Sequence, residues 1–325
     1  MAPSRTRKLA DLSVQEIRRR YLGAGAPAPS PQVLARLRRD RRSGVKALYR
    51  TLKARWERDK EERQRLDALL HFERVLWKTG VERVAGVDEA GVGPLAGPVV
   101  AAAVVFRPGE DLEGIDDSKR LDPERREELD AAIRERAAGV GVGTAAVGEI
   151  DRLNVYHAAL LAMRRAVEAL PEPPQHVLVD AREIPGLRLP QNRFDRGDGL
   201  NFSIAAASIV AKTHRDRLMC ELDARHPGYG FARHKGYCTA EHQEAVARLG
   251  PCSAHRLSYA FLRELCGEFS ELFYALRDRL EEIAGHADLE RLEEEVSRRR
   301  DDLAEEEQKK LRLMIGRRWE ALAAG

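Results

Sequence analysis

The feature that most restricts this chain is a change of period. Between residues 81 and 270, short apolar runs alternate with longer stretches of helical spacing, while the flanks show only the helical period. Val84-Ala85-Gly86-Val87 and Val99-Val100-Ala101-Ala102-Ala103-Val104-Val105-Phe106 are short and uniformly apolar, as buried strands are. A Gly/Pro-rich loop joins them. A helix is expected over 123–138, with Asp122 as its N-cap and Pro123 in its first turn. Residues 140–147 read as a third, glycine-interrupted strand, and about 149–170 as one long helix stopped by Pro171-Glu172-Pro173-Pro174. His176-Val177-Leu178-Val179-Asp180 is a fourth strand, and 203–225 another helix. Strands interleaved with helices make an α/β domain, and open sheets of that kind carry their sites beyond strand ends.

The flanks differ in charge as well as period. Residues 1–80 hold 21 Lys/Arg against 9 Asp/Glu, a net of +12; the whole chain is +3, which leaves −9 for residues 81–325. A basic arm joined to a slightly acidic body suits an electrostatic grip on a polyanion, and a solvated helical tail is the plainer alternative. Residues 23–31, rich in Gly and Pro, divide the arm into two helical stretches. From 31 to about 78 the pattern is helical, with Val33, Leu34, Leu37, Val45, Leu48, Leu52 and Trp56 at spacings of three, four or their sums. Residues 271–325 are again helix-like and laced with charge, and a solvent-exposed helix or helical hairpin is expected. Only about two heptads hold there, below what a coiled coil needs. Three regions result: a basic helical extension (1–80), an α/β domain (81–270) and a charged helical tail (271–325).

Several classes are set aside. No run of about 18 apolar residues exists to cross a membrane, and Met1-Ala2-Pro3-Ser4-Arg5 leads into polar sequence rather than a signal core. Cys220, Cys238, Cys252 and Cys266 form no CxxC pair, which fits a reducing cytoplasm. Cys238-x3-His242 with Cys252-x2-His255 has the ligand types of a zinc site but loose spacing. Free cysteines as small buried hydrophobes are the better reading.

Asp88 and Glu89 close the first strand and Asp180 the fourth, while Asp198 lies between Gly197 and Gly199. Each alone reads as a turn or cap residue. Together they form a set whose mutual repulsion calls for cations, and Mg²⁺ or Mn²⁺ takes oxygen ligands of this kind. Two such ions about 4 Å apart serve phosphodiester cleavage. Neighbours in a regular strand face opposite ways, so the strand is expected to end at the Asp-Glu pair. The loop that follows, Gly91-Val92-Gly93-Pro94-Leu95-Ala96-Gly97-Pro98, offers amides that can cradle a phosphate or bond a hydroxyl.

Asp-Glu-Ala-Gly-x-Gly-Pro-Leu-Ala-Gly-Pro-Val resembles the signature of ribonuclease HII. The likeness continues through Asp117-Ser118-Lys119, Val177-Leu178-Val179-Asp180, Gly197-Asp198, Ala206-Ala207-Ser208-Ile209-Val210-Ala211-Lys212, His234-Lys235-Gly236-Tyr237 and His255-Arg256-Leu257-Ser258. It spans about 83–262 in order, and the basic extension is similar to that of a subgroup of these enzymes. The tail after about 270 has no matching counterpart.

The resemblance implies an RNase H-like mixed sheet flanked by helices, a monomer, and Asp88, Glu89, Asp180 and Asp198 as the metal-binding set for two divalent ions. The implied reaction is hydrolysis 5′ to a ribonucleotide in RNA–DNA hybrids or in duplex DNA, leaving a 3′-hydroxyl and a 5′-phosphate. The amides of Gly91, Val92 and Gly93 would read the 2′-hydroxyl, which is what tells RNA from DNA. Tyr237 would pack on the sugar, and Lys119, Ser208 and Lys212 would hold phosphates. Asp216, beside Arg215 and Arg217, reads better as a surface ion pair than as a ligand. Val92 departs from the family, which usually has a basic residue there. The loss of a charge-assisted bond, about 1.5–3 kcal/mol, implies weaker binding or slower turnover. Two other classes stay open: another RNase H-like nuclease such as a junction resolvase, and a non-catalytic hybrid-binding protein. The presence of all four acids and Tyr237 counts against the second.

Overall fold

The chain divides at His71 into two units, and the computed structural model describes residues 9–23, 25–266 and 269–324. The first unit holds α1 (Val14–Leu22), α2 (Pro31–Arg39) and α3 (Ser43–Leu69). Their starts are local chemistry. Ser13 and Glu16 form a reciprocal capping box on α1, and Ser30 caps α2 ahead of Pro31. The helix expected from 31 to about 78 is interrupted at residues 40–42 and again at Leu70. At the first break Asp40 accepts the Arg42 amide and guanidinium, while Arg42 also donates to the Leu12 carbonyl at 2.6 Å. That local pairing competes with the helix ladder and wins. Ile17, Leu37, Val45 and Leu52 lie at the centre of this unit's own small core.

In the second unit, α4 (His71–Lys78) leads into β1 (Val84–Ala90) and β2 (Val99–Val105). These are followed by α5 (Pro123–Arg136), β3 (Gly139–Ala145), α6 (Val147–Leu153), α7 (Val155–Glu168), β4 (His176–Asp180) and β5 (Gln191–Phe194). The five strands form one mixed sheet in the order β3-β2-β1-β4-β5. β1, β2 and β3 pair antiparallel, and β1–β4 and β4–β5 pair parallel. The α/β class is as expected, with two local departures. The single helix over 149–170 is two, because Asn154 takes a left-handed φ of 67° and caps α7 through the His157 amide. β5 was not foreseen, since Gln191-Asn192-Arg193-Phe194 is polar and half exposed at a sheet edge.

α8 (Phe202–Arg225) crosses one face of the sheet over β1 and β2, and α7 covers the other over β3 and β2. α8 comes so close that a Cβ at Gly86 would lie 2.0 Å from the Ser203 carbonyl carbon. Then come α9 (Phe231–His234), α10 (Ala240–Leu249), α11 (Ala260–Cys266), α12 (Glu271–Glu282), α13 (His286–Arg298) and α14 (Glu305–Ala324). The last three correct the expectation of an exposed helix or hairpin. Phe273, Leu276, Leu280, Leu289, Leu292, Val296, Leu311 and Ile315 close a core between them. Charge on the outer faces masks three apolar stripes that bury one another. Among the described residues no helix is long and apolar enough to cross a membrane.

The Gly86 contact yields a direct test. Gly86→Ala forces β1 and α8 apart and should destabilise the chain by about 1–3 kcal/mol in urea denaturation. An unchanged midpoint would show that α8 does not sit on β1 at this distance.

Candidate active site

Asp88 and Glu89 are neighbours on β1, and Asp180 ends β4. These strands run parallel with Val87 opposite Val179, so Asp88 and Asp180 come next along adjacent strands. Carboxylate oxygens of Asp88, Glu89 and Asp180 lie within 4.8 Å of one another. β1 does not end at the acidic pair, as the alternation of strand faces had required. It runs on to Ala90, pairing Asp88 with Ala102 and Glu89 with Ala101 of β2. What ends is the pairing with β4, and the longer Glu89 side chain reaches the shared point along that open flank. Asp88 is fixed by the Glu89 amide at 2.7 Å and by the Ser208 hydroxyl on α8. Asp198 is buried in the 3₁₀ turn Gly197–Gly199, whose Gly197 amide donates to Asp180 Oδ1 at 2.6 Å. It stands beside the trio rather than within it, facing Lys119 Nζ at 3.6 Å.

Acids this close and this buried do not all ionise readily. Burial, then the charges of Glu89 and Asp180, push the Asp88 carboxyl well above the usual range. Burial and Asp180 push Glu89 up to about 7 against the pull of Arg182. Asp180 is raised too, by burial first, with the Gly197 amide opposing. Glu89 Oε2 is buried without a hydrogen-bond partner. An all-oxygen donor set with an unanswered atom and surplus negative charge fits a hard divalent cation such as Mg²⁺ or Mn²⁺.

The loop from Gly91 to Pro98 is built on two buried arginines that sequence reading left without a role. Arg256 donates to the carbonyls of Gly91, Val92, Pro94 and Gly97 at 2.6–3.0 Å, and to the Tyr259 hydroxyl. Arg215 on α8 donates to the carbonyls of Ala96, Pro98 and Lys235, each at 3.0 Å. Neither pairs with a carboxylate among the described residues. In a trans peptide the N–H points away from the preceding C=O. With the Gly91 and Val92 carbonyls drawn to Arg256, the amides of Val92 and Gly93 face the opposite way. Gly91 takes φ of 95°, and a Cβ there would lie 2.0 Å from Arg215 Nε, so only glycine fits. The Val92 side chain packs against the central apolar core. Its loss of charge is thus a gain of packing. Asp151 bonds the amides of Leu257 and Ser258 and so anchors the segment carrying Arg256. No local signal singled out Arg215, which stands among Lys212, His214, Asp216 and Arg217 in the charged half of its helix.

Tyr237 is 44% exposed, and its ring edge comes within 3.9 Å of where a Gly93 Cβ would stand. Lys212 Nζ lies 6.0 Å from that ring and pairs with Asp216 at 2.6 Å. Asp216 is therefore held by Lys212 and Arg126, not by its chain neighbours Arg215 and Arg217. Ser208 is buried, and its hydroxyl meets Ser118 at 2.9 Å as well as Asp88, so it orients an acid in this state. Lys119 is largely exposed at the mouth of the acidic cluster. The zinc pattern does not assemble. Cys238 is exposed and accepts from Gln243, and among the described residues Asp88, Glu89 and Asp180 form the one group arranged so that it could hold a metal ion.

With this geometry in hand, comparison with known proteins is specific. Residues 85–262 match the family model of ribonuclease HII, and residues 13–77 match the ribonuclease HII N-terminal domain. The chain is 49% identical over 268 residues to the ribonuclease HII of Myxococcus xanthus, covering 82% of this chain and 91% of that protein. It is 53% identical over 231 residues to that of Geobacillus thermodenitrificans, covering 71% and 89%. Among solved structures, the ribonuclease H2 of Pyrococcus horikoshii is 25% identical, with a TM-score of 0.49 over 56% of this chain and 96% of that one.

The raised acids set a pH dependence. Folding lifts Glu89 from 4.5 to about 7, so the metal-free folded state holds more protons than the unfolded one across that window. Its contribution to stability is present below about pH 4.5 and lost as pH rises through about 7. A divalent ion held by these carboxylates would displace those protons. Added Mg²⁺ or Mn²⁺ should therefore raise Tm more at about pH 8 than at about pH 6. Equal shifts at the two pH values would count against the site.

Proposed function

The chain belongs to the ribonuclease HII family and is a ribonuclease H, and from that premise we propose how and where it cuts. It hydrolyses the phosphodiester on the 5′ side of a ribonucleotide in RNA–DNA hybrids and in duplex DNA with embedded ribonucleotides, leaving a 3′-hydroxyl and a 5′-phosphate. The observation that carries this reading is the adjacency of three clustered carboxylates to a loop whose amides are turned outward beside an exposed tyrosine.

In this reading Asp88, Glu89 and Asp180, with Asp198, hold two divalent ions. Such ions supply charge neutralisation at the reacting phosphate and activation of water. The chain's own groups do the rest. The Val92 and Gly93 amides donate to the 2′-hydroxyl, which a deoxyribose cannot offer. The Tyr237 ring packs on the neighbouring sugar and limits its position. Lys119 and Lys212 exchange their carboxylate partners for backbone phosphates, contacts that position without reading sequence. Ser208 keeps Asp88 aimed.

The first unit is proposed as a duplex-binding arm. Arg38, Arg39 and Lys53, with Tyr49 and Trp56, line a groove of about 530 Å³ between α2 and α3. Cations beside aromatic faces suit a sugar–phosphate backbone.

A DNA duplex with one ribonucleotide, with Mg²⁺ or Mn²⁺ added, tests the chemistry. Nicking 5′ to the ribonucleotide is expected, falling at least about 100-fold in Asp88→Asn. Binding without cleavage, or cutting of branched all-DNA substrates, would overturn the reading. For the arm, the triple variant Arg38→Glu, Arg39→Glu, Lys53→Glu should weaken duplex binding and flatten its salt slope by about one unit for each phosphate no longer held. An unchanged slope would remove the arm from the interface.

A further inference from the structure

The turn that presents Tyr237 is strained and thinly packed. Lys235 takes a left-handed φ of 52°, Gly236 one of 81°, and Tyr237 is only half covered by the rest of the protein. Main-chain bonds from the Tyr237 amide to the His234 carbonyl and from the Thr239 amide to the Tyr237 carbonyl hold the turn, and a buried side-chain network adds to them. Beneath the turn lie His242 and His255, both fully buried, neither used by the chemistry above.

With both rings neutral, their bonds fix the tautomers. A carbonyl accepts and never donates, so the 2.9 Å contact between His242 Nδ1 and the Tyr237 carbonyl places a proton on Nδ1. His242 Nε2 then accepts, and its partner at 3.0 Å, His255 Nε2, donates. That leaves His255 Nδ1 to accept the Cys252 amide at 3.0 Å, in preference to the Cys252 carbonyl at 3.3 Å. The Cys252 thiol lies 3.2 Å from the same nitrogen. With these tautomers kept, a further proton on His242 Nε2 would face the His255 N–H, and one on His255 Nδ1 would face the Cys252 amide. Burial holds both rings in the neutral form, drawing His242 down to about 4 and His255 well below the usual imidazole range. His234 supports the same turn from the other side: it donates from Nε2 to the Tyr229 carbonyl at 2.8 Å, accepts the Gly236 amide at 3.2 Å, and stacks on His242 at 4.4 Å.

We propose that His255 and His242 are positioning residues for substrate recognition, forming a one-way hydrogen-bond chain from the Cys252 amide to the Tyr237 carbonyl that sets where the Tyr237 ring meets the sugar. The proposal rests on the reading of Tyr237 as the sugar-packing residue. It couples the turn at 252–255 to the binding surface. The chain also reaches the loop that reads the ribonucleotide, because the Gly236 carbonyl accepts the Leu95 amide at 2.8 Å.

Two conservative substitutions separate positioning from packing. Asn places its amide nitrogen where His Nδ1 stood and keeps the bond to Tyr237, whereas Gln keeps only the reach toward His255. On the full-length protein with the single-ribonucleotide duplex, His242→Gln should raise KM about two- to tenfold, the scale of one hydrogen bond removed, with a smaller change in kcat. His242→Asn should recover most of that effect. Combined with Tyr237→Ala, His242→Gln should add nothing further. Equal impairment by Asn and Gln, or an additive double variant, would overturn the proposal. If Tyr237→Ala itself leaves KM unchanged, the reading of Tyr237 fails instead. Nitrogen-15 NMR of the unmutated protein tests the chain independently of both. It requires neutral rings at neutral pH, protonated on Nδ1 at His242 and on Nε2 at His255, and any other pair of tautomers rules the chain out.

Discussion

The site depends on two guanidinium groups that, among the described residues, are buried without a carboxylate partner. Arg256 and Arg215 are both fully buried, and nearly all of their hydrogen bonds end on main-chain carbonyls. Burying a cation is costly unless acceptors surround it. Here the acceptors come from one glycine-rich loop and the turn that bears Tyr237. The loop's shape is set by this cage rather than by its own turn propensities. A carboxylate partner would have neutralised either arginine more simply, but it would have left the loop carbonyls free and the amides without a fixed direction.

On the strand that leads into this loop the electrostatic situation is reversed. Asp88, Glu89 and Asp180 crowd together with surplus negative charge, and burial and their mutual repulsion raise their carboxyls against the pull of Arg182 on Glu89. The two arrangements share a support. α8 contributes Ser208 to the acids and, two turns on, Arg215 to the loop. Its first turn is held by Glu73, which accepts the Ser203 amide at 2.8 Å. Its approach to β1 is possible because residue 86 has no side chain. One helix thus sets the height of the carboxylates and of the amides together, which a reaction needing both at one sugar–phosphate unit requires.

Legibility in the sequence followed the range of the forces involved. Strands β1 to β4 and helices α5 and α8 rest on period and capping over a few neighbouring residues, and they appear close to where those signals lie. The break at Asn154 hinged on one left-handed residue inside an otherwise helical pattern. β5 has no apolar alternation because it is an edge. The three C-terminal helices looked solvated because their charges are continuous in sequence while their apolar stripes meet only in space. Within the site, Arg215 was read beside Asp216, although the Asp216 carboxylate turns to Lys212 and Arg126.

By itself the sequence determined the class of the domain and the chemical kinds of group available. Strand and helix periods, caps and glycine positions act locally, and carboxylates, amides and an aromatic ring keep their chemistry wherever they are put. Only the tertiary structure decided which acids share a point, because the parallel register of β1 and β4 joins residues about ninety positions apart. It also decided which way the loop's amides face and which histidine proton supports Tyr237. Those directions come from bonds to Arg256 and His255, residues far along the chain from the loop, and no local pattern records them.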